Sequence, residues 1–245
     1  MDRIRRDEPR LLILETSGKV GRVALAEGAC LGDERWLDEA RRHARDLAPT
    51  VAELCAARGW KVRDLDAVIV GVGPGSYTGL RVGIMAAKTL AFASGCVVLG
   101  IPTFAVIARQ APPDATDLDV LADAQQQNLY VQRWSRGRTG WTSQPLRIRP
   151  ATEWLAGLTP GVWVSGPGLA AHEAQVPAAN PRVVIERRDP QPSCLLELGL
   201  ERWRRGETDD PWKLEPLYLR PSNAEETWDR RKANKEASRH GDGET

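Results

Sequence analysis

The chain is short of cysteine and histidine and has no long apolar run, and each shortage removes a class of function. Four cysteines, Cys30, Cys55, Cys96 and Cys194, are spread over 245 residues without the paired spacing of a zinc site or redox motif. Three histidines, His43, His172 and His240, are equally scattered, so no metal site is expected. Nothing approaches the roughly 20 apolar residues of a membrane span, and Leu11 to Leu14 is too short for a signal-peptide core. A cytoplasmic chain with reduced thiols is therefore expected. Excess charge of one sign is also missing: 34 lysines and arginines balance 33 aspartates and glutamates. Any affinity for RNA or an anionic surface must then be local.

What is present is an alternation of strands and helices. "LLILETS", "GRVALAEG" and "CLGDERWL" follow one another at hairpin distance. Ala44, Leu47, Ala48, Val51, Leu54 and Cys55 then recur at helical spacing, with Gly59 as a stop and Pro49 expected to kink the helix or open its better half. "DAVIVGVG" has the continuous apolar character of a strand buried on both faces. A helix, the strand "CVVLGIP" and another helix from Thr103 complete the series. "QAPPDATD" interrupts it, and a shorter strand and helix rhythm follows, which includes "WTSQPLRIR" and "RVVIE" as strands and "SCLLELGLERWRRGE" as a helix. The predicted architecture is α/β: an N-terminal lobe over 1–111, a smaller echo over 112–221, and a charged, mobile tail over 222–245.

The most informative stretch is "VIVGVGPGSYTGLRVGIMAAKTLAFA", Val68 to Ala93. A strand empties into a turn containing Gly71, Gly73 and Gly75, and Ser76 or Thr78 can cap the helix that follows. Amides at a helix start suit an anion, but three specific chemistries fail. A Walker loop would end in Gly-Lys-Ser/Thr where Thr78, Gly79 and Leu80 stand. A dinucleotide fold needs a ribose-binding acid about 20 residues on, and none lies between Asp66 and Asp114. A hydrolase elbow needs glycine where Pro74 precedes Ser76.

The helix after the turn carries only Arg81 and Lys88 as charges, and Gly79, Gly83, Ala87 and Ala91 form a stripe of small residues. Two environments suit such a helix: burial within its own lobe, or a boundary with another subunit. A second alanine row, Ala44, Ala48 and Ala52, on the preceding helix favours the shared boundary. On that reading an arginine at Gly83 or Ala87 blocks pairing and leaves the lobe folded. A separate basic run, Arg133, Arg136, Arg138, Arg147 and Arg149 beside Trp134 and Trp141, suits either RNA or a sheet edge charged against aggregation. Its first three arginines are the candidate RNA contacts.

"GVGPGSYTGLRVG" resembles the signature of the TsaB family of bacterial tRNA threonylcarbamoyladenosine biosynthesis proteins. "LLILETSGKVGRVALAEG" is similar to that family's first hairpin, and "LEPLYLRP" to its closing motif, so the likeness spans Leu11 to about Pro221. The resemblance implies two actin-like, RNase H-like lobes with mixed sheets flanked by helices. It also implies a non-catalytic role as the heterodimer partner of TsaD, which transfers the threonylcarbamoyl group to the adenosine beside the tRNA anticodon, with the ATPase TsaE joining the pair. The two helices would dock on TsaD, with Ala44, Ala48, Val51, Cys55, Gly79, Arg81, Gly83, Ala87, Lys88 and Ala91 as the interface. They could equally pair two copies when TsaD is absent.

The residues themselves argue against catalysis. A TsaD-like metal site uses a His-x-x-x-His pair, and here Leu47 stands four residues after His43. Glu15, Thr16 and Ser17 take the place where the superfamily has its first phosphate loop, with Gly73, Gly75 and Ser76 beside them, so weak phosphate or cation affinity there is an expectation. The second loop, after Asp123, has Gln125 and Gln126 where the family usually has arginines, and no glycine. "VSGPGL", Val164 to Leu169, sits where a nucleoside loop would be. The chain is thus expected to have no cofactor of its own, with ATP and magnesium confined to the boundary of the complex. The rival is an ATP-binding transferase or kinase with its own active site.

Overall fold

The computed structural model describes residues 8–37, 43–183, 185–217 and 219; the side chains of His43 and Ala44 and the charged segment 222–245 lie outside the described set. The first sheet has the order β3-β2-β1-β4-β5, from β1 (Arg10–Glu15), β2 (Arg22–Glu27), β3 (Cys30–Trp36), β4 (Ala67–Gly71) and β5 (Val97–Ile101). The first three strands run antiparallel, and β4 and β5 run parallel to β1. Side chains alternate across a strand, so Leu12 and Leu14 face one side and Leu11 and Ile13 the other, all fully buried.

Helices α1 (His43–Ala57) and α2 (Tyr77–Ser94) cover the first side, closing Leu47, Val51, Leu54, Ile84 and Ala87 over Leu14, Val68 and Val70. Pro49 lies inside α1, which continues on both sides of it. Ser76 caps α2 by accepting the Gly79 amide at 3.2 Å, and Gly95 ends it at φ 72°, a backbone that other residues adopt at a cost.

The second sheet repeats the first four places of this order, with no counterpart of β5 among the described residues. It is built from β6 (Asp117–Asp123), β7 (Asn128–Gly137), β8 (Gly140–Ser143), β9 (Arg147–Pro150) and β10 (Trp163–Ser165), ordered β10-β6-β7-β8 with β9 also on β7. The predicted "WTSQPLRIR" strand is divided at Gln144–Leu146, because Pro145 cannot donate to the ladder. The predicted "RVVIE" strand is reduced to a bridge at Arg182 and a single 3-10 turn over Ile185–Arg187.

Two helices lie across the division drawn from the sequence. Helix α3 (Thr103–Arg109), placed in the first lobe, buries Phe104, Ile107 and Ala108 against Leu118 and Val120 of the second sheet. Helix α5 (Pro192–Arg204), placed in the second lobe, buries Leu195, Leu196, Leu200 and Trp203 against Leu11, Ile13 and Ile69 of the first. Periodicity identifies the apolar face of a helix but not the sheet it covers. After α5 the chain straps the edge of β5: the Asp209 amide donates to the Val98 carbonyl at 2.9 Å, and the Leu217 amide reaches Val72 at 2.8 Å.

Candidate functional site

At the ends of β1 and β4 two turns meet. The Ser76 amide donates to the Ser17 carbonyl at 2.7 Å, and a Cβ on Gly75 would stand 2.6 Å from that same oxygen. A Cβ on Gly79 would overlap the Thr16 carbonyl, and one on Gly83 would overlap Thr16 Oγ1. Gly73, at φ 102°, makes the sharp exit from β4 and is tied to Thr103 on α3. The glycines therefore admit the chain's own β1–β2 turn. The six residues expected to share a weak phosphate or cation affinity, Glu15, Thr16, Ser17, Gly73, Gly75 and Ser76, thus lie in two adjoining turns, with Gly75 and Ser76 directly against Ser17.

Glu15 is buried beneath this contact, at 2 % exposure. Its Oε1 accepts the Ser17 amide at 2.6 Å, while Oε2 and the neighbouring Thr16 Oγ1 have no hydrogen-bond partner among the described residues. Loss of water pushes its pKa up to about 7; the Ser17 hydrogen bonds and Arg22 act in the opposite sense, and Asp189 reinforces the rise. Gly71 is the residue that admits this carboxyl group, since a Cβ there would lie 2.5 Å from Oε2.

The corresponding loop of the second sheet differs from expectation. Gln125, Gln126 and Gln127 all have positive φ, at 64°, 51° and 62°. The loop thus adopts the backbone of glycine without glycine. Asp123 holds it by accepting the Gln125 amide at 2.7 Å, and the Asn128 side chain donates to the Gln126 carbonyl at 3.2 Å. Left-handed geometry costs an ordinary residue about 1–2 kcal/mol, partly offset in a glycine variant by chain entropy. Gln126→Gly is expected to raise stability by about 0.5–1 kcal/mol in urea unfolding; a loss of stability would show that the side chain holds the turn. The "VSGPGL" glycines serve contact between elements: Gly168 lies against the Ala122 backbone, and Gly166, at φ 103°, against Leu121.

The helical surface requires a correction. Gly79, Gly83, Ala87 and Ala91 are buried in their own lobe, and so are Val51 and Cys55. They cannot line an outer face, and an arginine at Gly83 or Ala87 would have to displace Thr16 or the core. Ala48 and Arg81 are exposed and Lys88 is half-buried, while the side chain of Ala44 is not among those described. The outward stripe of α2 is Thr78, Arg81, Met85, Thr89 and Phe92, with Met85 63 % and Phe92 78 % exposed. Trp212 of the strap, equally exposed, meets Phe92 edge to face at 6.1 Å. On α1 the neighbouring outward row is Ala48, Ala52 and Ala56. The signal for Met85 and Phe92 was their position opposite the small-residue stripe; Trp212 had none, because its placement depends on the strap.

The arginine run is also divided. Arg133 forms a two-pronged pair with buried Asp119, which holds the guanidinium pKa above its usual value, and Asp119 Oδ2 also accepts the Trp154 indole N–H at 3.1 Å. Arg136 stacks 4.5 Å from the Trp141 ring centre and donates to the Pro112 carbonyl at 2.9 Å. Arg138 is exposed at the hairpin tip between β7 and β8. The first two therefore serve the second lobe's own packing. Among the described residues no three histidine, cysteine or acidic side chains gather as metal ligands, and no helix is long and apolar enough to cross a membrane.

Two mixed sheets of matching strand order, joined by crossing helices, define a protein of the actin-like class. Residues 38–142 match the family model of TsaD, tRNA N6-adenosine threonylcarbamoyltransferase. The chain is 34 % identical over 192 residues to an uncharacterised protein of Mycobacterium tuberculosis, covering 78 % of this chain and 81 % of that one. It is 26 % identical over 224 residues to the Escherichia coli tRNA threonylcarbamoyladenosine biosynthesis protein TsaB, covering 86 % and 94 % respectively. It superposes on YeaZ from Pseudomonas aeruginosa with a TM-score of 0.72 at 25 % identity, covering 86 % of this chain and all of that one. The chain belongs to the TsaB family.

Proposed function

We propose that this chain acts in tRNA threonylcarbamoyladenosine biosynthesis as a non-catalytic subunit. It docks the outer face of α1 and α2 on TsaD and so supports transfer of the threonylcarbamoyl group to the adenosine beside the anticodon. TsaE joins this pair, tRNA is met through the assembly in the cytoplasm, and any ATP and magnesium are held at the subunit boundary. The observation that carries the reading is the exposure of Met85 and Phe92 on a helix whose opposite face is buried. Each such side chain contributes roughly 1.5–3 kcal/mol when fully buried. The match to the TsaD family over residues 38–142, the stretch that carries α1 and α2, supports it further. The alternative is an independent ATP-using transferase or kinase that would use Glu15, Thr16 and Ser17 with the same glycine turn.

The test is size-exclusion chromatography of the chain mixed with TsaD, alongside tRNA modification by the reconstituted set. Met85→Asp with Phe92→Asp is expected to weaken pairing by about 100-fold or more and to reduce modification, with an unchanged melting midpoint. Undiminished pairing would place the interface elsewhere, and saturable, magnesium-dependent ATP binding by the isolated chain would favour the rival.

A further inference from the structure

The second lobe has a recess of about 170 Å³ on the sheet face that α4 (Ala151–Ala156) covers only in part. Register explains its lining. Arg147 lies directly across from Val131, and Arg149 across from Leu129, so both arginines share the face on which those two apolar residues meet α4. Arg133, two residues beyond Val131, continues the same face. Two strands thereby bring three guanidiniums around one depression, with Gln144 at its edge and Trp154 as a wall.

The charge is unbalanced. The one carboxylate in the lining, Asp119, is already held by Arg133 and Trp154. The Arg147 side chain has no hydrogen bond or ion pair among the described residues. The Arg149 side chain has, among the described residues, only the exposed Glu153, at 4.0 Å, a contact that water and salt screen. A face needing only solubility takes charges of either sign, whereas this lining is left with two uncompensated positive charges. The recess is smaller than the roughly 300–1,000 Å³ of pockets for drug-sized ligands, so it admits one group of a ligand and not a whole nucleotide.

We propose that this recess is a binding site for a phosphoryl group, whose negative charge is matched by Arg147 and Arg149 and whose oxygens suit the forked donors of arginine. The group arrives either as a free phosphate or on an RNA strand. The site lies on the second sheet and involves no residue of the α1–α2 face, so its fate is separate from that of partner docking.

Two probes distinguish the sources: inorganic phosphate, followed by the melting midpoint against chloride of equal ionic strength, and a short single-stranded RNA, followed by fluorescence anisotropy. The wild-type chain is expected to bind at least one of them saturably. Arg147→Ala with Arg149→Ala should weaken that binding by about tenfold or more, while Arg136→Ala with Arg138→Ala should leave it unchanged. Loss of the phosphate response identifies a free anion, and loss of the RNA response alone identifies a strand-borne group. If the double variant melts early without ligand, Arg147→Gln alone is expected to weaken binding several-fold. No saturable binding of either probe, or equal affinity in wild type and variants, overturns the site.

Discussion

Arg133→Ala is expected to destabilise the second lobe by about 3–5 kcal/mol, the range for breaking a buried ion pair from one side. Asp119 is the reason. Its side chain is 3 % exposed, and of its described side-chain donors only the Trp154 indole would remain. The same strand pair carries Asp119 directly opposite Arg133, so no other residue of β7 can replace the guanidinium. Urea unfolding measures the loss. A double variant, Arg133→Met with Asp119→Asn, should recover much of it by removing both charges. A cost below about 1 kcal/mol for Arg133→Ala would mean that water reaches Asp119. Weaker RNA binding by this variant would carry no information about RNA, because it would report a damaged lobe.

That distinction marks what could be read before the structure. The doubled strand-and-helix rhythm was legible, because the turn formers of "QAPPDATD" separate two similar series. Composition made α2 conspicuous, but composition is the same on either face. Gly79 and Gly83 are small because Thr16 lies against them, and Thr16 is far away in the chain. The outward residues Met85 and Phe92 were in view throughout, marked only by their position opposite the small-residue stripe. Arg133 and Arg136 were equally visible as cations; their partners Asp119 and Pro112 were not, since strand register decides those contacts. Glycine content likewise misjudged the loop at Gln125 to Gln127, where Asp123 and Asn128 hold a left-handed backbone that sequence rules reserve for glycine.

Glu15→Gln is expected to abolish a pH dependence of stability amounting to about 3 kcal/mol. Burial moves the carboxyl from its ordinary 4.5 to about 7 in the folded chain, and each tenfold change in proton affinity is worth about 1.4 kcal/mol. For an acid with a raised folded pKa, the folded state holds the proton longer than the unfolded state. Below about pH 4.5 both states are protonated and the group has no effect. Between about 4.5 and 7 the unfolded chain has lost its proton while the folded chain retains it, so stability falls as pH rises. Above about 7 both are ionised and the loss is complete. Glutamine keeps the size of the side chain and an oxygen for the Ser17 amide, but it cannot ionise beside Asp189 or exploit Arg22. Urea midpoints taken from about pH 4.5 to about 8.5 should therefore diverge, with the wild type declining relative to Glu15→Gln up to about pH 7 and running parallel above it. Parallel curves across the whole range would show that Glu15 keeps its ordinary acidity, and that solvent or an ion reaches the orphaned Oε2 beneath the glycine turn.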